Sequence, residues 1–314
     1  MKRVGLQRSS FALVLMSLCG VAIAAETASV STTAVHASVE PWNPAPIASP
    51  RFESHPAFDP RNGDLYFVRS NPDFSGWRIF MSHCGTQGWS EPVEPSFVGD
   101  GVEADPWFAA DGRSLYFISS RSLDGKPPLA GAKRKDLDLW RVDRDAKGHW
   151  GRPQRLPDPV NSPGAEWFPR PASDGWLYFG STNRPGGLGM TDIWRARQDK
   201  RGGWTVENLG PSINTSGDEY EPLVSADGKR MVLMAGDGLY ESRRTATGWA
   251  PRIKLGPDIN VNGSEIGALL SPDGHSMLFA RDLKGDRSGE LFLWRDGLGD
   301  RDWPPRCPRP HRDR

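Results

Sequence analysis

Short apolar runs recur along the chain, each cut off by turn residues before it could fill a helix. Leu65–Phe67, Leu115–Phe117, Leu177–Phe179, Met231–Leu233 and Met277–Phe279 follow the steps Asn62-Gly63, Asp111-Gly112, Asp174-Gly175, Asp227-Gly228 and Asp273-Gly274. Such a step between apolar runs predicts a hairpin, because Gly accepts the positive φ that tight turns demand. A Glu stands eight or nine residues before each turn: Glu53, Glu103, Glu166, Glu219 and Glu265. In the first four units a Pro follows it three residues on. A third run comes next (Trp77–Phe80, Asp138–Trp140, Asp192–Trp194, Gly238–Tyr240, Leu291–Trp294). A fourth strand is expected to open at Gly88-Trp89, His149-Trp150, Gly203-Trp204, Gly248-Trp249 and Asp302-Trp303.

The turn glycines lie 49, 63, 53 and 46 residues apart. Four short antiparallel strands per roughly 50 residues is the size of a β-propeller blade. One twisted blade cannot bury both its faces, so neighbours must stack and the chain must close into a ring. The expectation is an all-β β-propeller of five four-stranded blades over residues 40–306, with six blades as the alternative count. Two segments compete to close the ring: Trp42–Ile47, just before the first unit, and Trp303–Arg306 after the last.

Composition supports this. Of 314 residues, 35 are Gly and 28 Pro, and 13 Trp with 13 Phe can fill a core between thin sheets. Lys plus Arg equals Asp plus Glu at 39 each, so no nucleic-acid footprint stands out. Three Cys exclude a disulfide scaffold. The N-terminus reads as an address: Lys2, Arg3 and Arg8, an apolar stretch over 11–23, then Ala22-Ile23-Ala24, the small-x-small step of a cleavage site. The stretch is short for a membrane span, and Leu18 before Cys19 does not suit a lipoprotein signal. Residues 1–24 are therefore expected to be a signal peptide, 25–39 a flexible linker and 307–314 a C-terminal tail. The protein is expected to be periplasmic or secreted, monomeric, without a membrane span. In an exporting compartment Cys84 and Cys307, on the first and last blades, can form a disulfide.

The Glu-x-x-Pro step, the turn Ser271-Pro272-Asp273-Gly274 and the aromatic strand after each turn resemble the TolB-like propeller family of Pro-Asp repeats. The resemblance spans about residues 40–305 and recurs in all five units. TolB proteins carry an α/β domain before the propeller, whereas about 28 residues separate Ala24 from Glu53. The resemblance therefore implies the propeller and not a place in the Tol–Pal system.

Candidate chemistry comes from comparing units. A Glu repeated at one height in every unit (Glu53, Glu103, Glu166, Glu219, Glu265) places five carboxylates around the channel mouth. They are expected to staple the ring through backbone N–H groups rather than to hold a cation. Arg121, Arg184 and Arg281, after the second strands, are expected to face Asp138, Asp192 and Glu290, which open the third. Arg184–Gly189 is Gly-rich but has neither helix nor Lys for a phosphate. A fold needs sameness between blades, whereas a site needs difference. With strand period two, His55, Asp105, Trp107, Arg170 and Glu221 share the Glu side and differ between units, which makes them the candidate contacts for a ligand or partner. His36, His55, His83, His149, His275 and His311 have no metal-ligand spacing, and no nucleophile motif occurs. The expected function is an exported, non-enzymatic module that binds a protein or cell-envelope component, without cofactor, metal or nucleic acid. The alternative is a carbohydrate-active enzyme, a polysaccharide lyase or glycoside hydrolase, on the same scaffold.

Overall fold

The computed structural model describes residues 37–73, 75–122, 137–285 and 289–307. The expected signal peptide, most of the expected linker, Cys19, His36, His311 and the tail beyond Cys307 lie outside them. Among the described residues there is no helix, so none that could cross a membrane.

The first unit gives β2 (Phe52–Phe58), β3 (Leu65–Ser70) and β4 (Arg78–Ser82), with a bridge from Met81 to Val93 in fourth place. A small hairpin of β5 (Cys84–Gly85) and β6 (Gly88–Trp89) lies beyond it. The second unit gives β7 (Glu103–Phe108), β8 (Ser114–Ser119), β9 (Asp138–Asp143) and β10 (Gln154–Arg155). The third gives β11 (Glu166–Pro171), β12 (Leu177–Thr182), β13 (Thr191–Gln198) and β14 (Trp204–Asn208). The fourth gives β15 (Glu219–Val224), β16 (Arg230–Ala235), β17 (Gly238–Arg243) and β18 (Ile253–Lys254). The fifth gives β19 (Ile266–Leu270), β20 (Ser276–Arg281) and β21 (Glu290–Arg295), and its outer strand is β1 (Ser38–Pro41) from the start of the chain. The first strands of the units contact one another in sequence, and β19 meets β2. The ring is closed, with five blades.

Closure differs from both expected segments. Ser38 pairs with Arg295 and Pro41 with Phe292, so the closing strand lies just before Trp42. Trp303 instead packs on Phe58 with Leu278 and Leu293, sealing the joint between blades 5 and 1. The Gly-Trp steps also sit differently: Trp150 and Trp249 bridge back to Arg144 and Arg244, and the fourth strands β10 and β18 begin later.

The core lies between blades. Tyr66 and Ile79 meet Phe108, Phe117 and Trp140 across the 1–2 joint, and Met234 and Leu239 meet Phe279 and Phe292 across the 4–5 joint. Polar clasps add to these joints. Arg144 Nη1 and Nη2 donate to the two oxygens of Asp59 at 2.6 and 2.7 Å, tying blade 2 to blade 1, and Arg244 reaches Asp174 and the Tyr178 hydroxyl of blade 3. Cys84 and Cys307 form a disulfide across 223 positions, with Cα atoms 4.9 Å apart.

Candidate functional site

Each innermost strand starts with the unit Glu, and each Glu is buried. Its carboxylate turns back to the loop four residues upstream. Glu53 accepts from the Ser49 N–H and hydroxyl, Glu103 from Gly99 N–H, Glu166 from the Ser162 N–H and hydroxyl, Glu219 from the Thr215 N–H and hydroxyl, and Glu265 from Val261 N–H. An Arg completes each site: Arg69 at 2.7 Å from Glu53, Arg121 at 2.8 Å from Glu103, Arg184 at 3.7 Å from Glu166, Arg252 at 2.9 Å from Glu219 and Arg281 at 3.1 Å from Glu265. These guanidiniums also donate to carbonyls of the same loops, among them Ile47, Phe97, Val160 and Ile259. Burial raises the carboxyls of Glu53 and Glu103 and pushes that of Glu166 up to about 7, against the lowering by their donors. The five carboxylates thus hold loops to strands.

Arg121, Arg184 and Arg281 therefore do not pair with Asp138, Asp192 and Glu290. Arg281 and Glu290 are cross-strand neighbours in register, yet the Arg side chain goes to Glu265. Asp138 pairs with Arg155, Asp192 accepts from Leu188 and Gly189 N–H, and Glu290 accepts from Asn43. Glu103 and Glu265 are more deeply buried than Asp138 and Glu290, and weaker screening there strengthens the attraction to the cation.

Two residues after the Glu, strand alternation breaks. The register shifts between residues one and four after the Glu in every innermost strand. Within that bulge His55, Asp105, Phe168, Glu221 and Gly267 have φ of 50°, 57°, 53°, 54° and 66°. The left-handed backbone re-aims these side chains, so they do not share the Glu side as period two predicts. They meet instead where the five blades converge. His55 Nε2 lies 3.2 Å from Glu221 Oε1, and Asp105 Oδ1 lies 3.8 Å from the same nitrogen. Asp105 Oδ2 accepts from Phe168 N–H at 3.2 Å, and Glu221 Oε2 from Gly267 N–H at 2.6 Å. The His55 ring stacks on Phe168 with centroids 5.2 Å apart. A Cβ on Gly267 would sit 2.5 Å from the His55 nitrogen of the backbone, so glycine is what lets β19 approach β2 here. Burial pushes the Asp105 carboxyl up to about 6, against the lowering by His55 and Arg170.

This layer floors a cavity of about 880 Å³. Phe52, Trp77, Trp167 and Tyr220 supply aromatic walls, and Asp73, Asp218 and Asp282 add carboxylates. Met190, 63% exposed, stands in the lining. Of the five candidate contacts, His55, Asp105 and Glu221 line it together. Trp107 and Arg170 do not; their positions follow the bulge, and the guanidinium lies 4.4 Å over the indole ring. Burial drives Arg170 down to about 10. Trp167 and Tyr220, one residue after their Glu, escaped a search limited to every second residue, although this position too varies between units (Ser54, Ala104, Trp167, Tyr220, Ile266). Asn161, Asn214 and Asn260 were missed as well. Each stands five residues before its Glu and bonds both backbone groups of Leu139, Ile193 or Leu239. Their fixed spacing was the available signal. Among the described residues no cluster of His, Cys, Asp or Glu is arranged to hold a metal ion.

No protein-family model matches the chain, and no curated protein matches its sequence. Solved structures share its fold. A thermostable family-43 glycoside hydrolase is 12% identical with a TM-score of 0.50, covering 80% of this chain and 91% of its own. A protein described as a TolB from Agrobacterium tumefaciens is 15% identical with a TM-score of 0.46, covering 79% of each chain. The tricorn protease is 15% identical with a TM-score of 0.46 over 79% of this chain and 22% of its own. At these identities the likeness is one of fold, and the same fold serves unrelated tasks.

Proposed function

We propose that the protein is an exported, non-enzymatic propeller that binds a protein or cell-envelope component in its axial cavity. The observation that carries this is the cavity's lining: it is built from positions at which the blades differ, while the repeated Glu residues are committed to loops. A carbohydrate-active enzyme is the second reading, favoured by two carboxylates on the cavity floor. Acid–base hydrolysis of a glycoside needs two available carboxyl groups. Here Glu221 spends both oxygens on His55 and Gly267, and Asp105 spends one on Phe168, which disfavours the floor pair as acid and base and leaves Asp73, Asp218 and Asp282 as the lining's other carboxylates.

The test is capture from an envelope extract by immobilised protein, beside Trp167→Ala, which removes a wall, and Met190→Trp, which narrows the mouth from an exposed position. Retention of the partner should fall at least fivefold in Trp167→Ala, since truncating a central aromatic anchor typically costs about 1–4 kcal/mol, and should fall in Met190→Trp as the entrance narrows. Equal retention by both variants would defeat the cavity as the site. Release of reducing or unsaturated sugar ends from the extract would establish the enzyme instead.

A further inference from the structure

Sulfur is spread unevenly over the ring. Met231, Met234 and Met277 are buried in the cores of blades 4 and 5, and Met81 is half-buried in β4. Cys84 and Cys307 are joined to each other, so neither offers a thiol. Among the described methionines Met190 is the exposed one, at 63%, and it stands in the cavity lining. A thioether placed there meets both the solvent and whatever enters the mouth. Leu188, two residues before it, is 48% exposed and extends the apolar edge.

The exposure is built into the loop that Met190 ends. Asn183 N–H donates to the Met190 carbonyl at 2.7 Å, closing that loop on itself. Leu188 and Gly189 N–H groups donate to the two oxygens of Asp192, and Arg184 Nη1 donates to the Val160 carbonyl at 2.9 Å. A Cβ on Gly189 would collide with the Gly217 carbonyl, so glycine lets the loop lie directly against the segment leading into β15. Thr191, next in the chain, bridges to Asp218 of that segment. Its hydroxyl lies 3.0 Å from Thr182 Oγ1, which accepts from Trp167 Nε1 at 3.0 Å. Met190 is thus held at the mouth where blades 3 and 4 meet, tied through two hydroxyls to a wall of the cavity.

Building on the binding reading above, we infer that Met190 is an oxidation switch for the cavity: a peroxide met outside the cytosol converts its thioether to the sulfoxide and weakens the hold on the partner. The sulfur lone pair attacks one peroxide oxygen, the S–O bond forms and the O–O bond breaks. With hydrogen peroxide, the proton of the transferred oxygen passes to the departing hydroxide, which leaves as water. Sulfur gives up two electrons and the peroxide takes them, and a two-electron reduction returns the thioether. A flexible apolar group becomes a polar S=O that keeps water at the mouth, where an apolar contact had excluded it.

The experiment treats the whole protein with hydrogen peroxide and follows each methionine peptide by mass, beside capture from the envelope extract. Met190 should gain one oxygen at least about tenfold faster than Met231, Met234 and Met277, because oxidation follows exposure. Capture should fall about tenfold in step with the Met190 sulfoxide, roughly the worth of one Met side chain buried at an interface. Met190→Leu has no sulfur at this position, so its capture should be the same before and after peroxide, whatever its level. Oxidation of Met190 no faster than that of the buried methionines would overturn the inference, and this arm needs no variant and no partner. So would an equal loss of capture by peroxide-treated Met190→Leu. If Trp167→Ala lowers capture while complete oxidation of Met190 does not, the switch is wrong and the cavity stands. If capture is unchanged in both Trp167→Ala and Met190→Trp, the binding reading has failed and the switch with it.

Discussion

His55, Asp105, Phe168 and Glu221 hold a backbone conformation that costs a side-chain-bearing residue about 1–2 kcal/mol, and each holds it directly before a proline, which disfavours helical backbone again. Strain of this kind persists only where surrounding contacts over-determine it. Here the contacts are the cross-blade bonds to Phe168 and Gly267 N–H and the His55–Glu221 pair. At Asp105 an electrostatic cost adds to the strained backbone. Its folded carboxyl, at about 6, lies above the ordinary 3.8, so its ionisation opposes folding. That penalty is absent below about pH 4, grows as pH rises to about 6 and is then constant. Asp105→Asn keeps an acceptor for Phe168 N–H and drops the charge. Its unfolding free energy should match wild type near pH 4 and exceed it by about 1–3 kcal/mol at pH 7.5. Urea denaturation at the two pH values checks this; a variant less stable at pH 7.5 would mean that Asp105 is a net stabilising anion.

The strand order and hairpins were legible because an Asn-Gly or Asp-Gly turn followed by an apolar run, Leu-Tyr-Phe in three units, Met-Val-Leu or Met-Leu-Phe in the others, recurs in every unit. The bulge was not. Glu-x-x-Pro reads as an ordinary extended step, and nothing local in Ser54-His55-Pro56 reveals a reversed φ that only the converging neighbours impose. Hence His55, Asp105 and Glu221, singled out by their variation, line the cavity, whereas Trp107 and Arg170 were grouped with them by an alternation that the bulge breaks. The closing strand was hidden for a different reason: Ser38–Pro41 carries no Gly-Trp step and pairs with a strand some 250 residues away. At this scale the loop-to-strand staple is the testable element. Glu103 takes Gly99 N–H, the Ser119 hydroxyl and Arg121, all at the base of blade 2. Glu103→Gln leaves the Arg121 guanidinium without its counter-charge and should cost about 2–4 kcal/mol in chemical denaturation. Partner retention by the folded variant should stay within about twofold of wild type. Loss of retention at full stability would make the Glu ring the site.

At the scale of the whole molecule, closure joins the two ends of the described chain. β1 completes the fifth blade, Trp303 fills the joint between blades 5 and 1, and Cys84–Cys307 ties the first blade to the last. In the chain-entropy picture a loop of this length contributes about 5 kcal/mol, less where the unfolded chain retains structure. The ring must close for residues of all five blades to meet at the axis, so closure and cavity are one property. The fold makes two faces: one carries the Asp-Gly turns, the other the Glu loops and the cavity. Amide hydrogen exchange of the protein alone and with its captured partner tests the central claim most directly. Added protection should concentrate at residues 52–55, 166–168 and 218–221 and at 263–266, around the cavity, with the turns at 109–114, 172–176 and 225–229 unchanged. Protection of those turns, with the cavity residues exchanging as in the free protein, would contradict it.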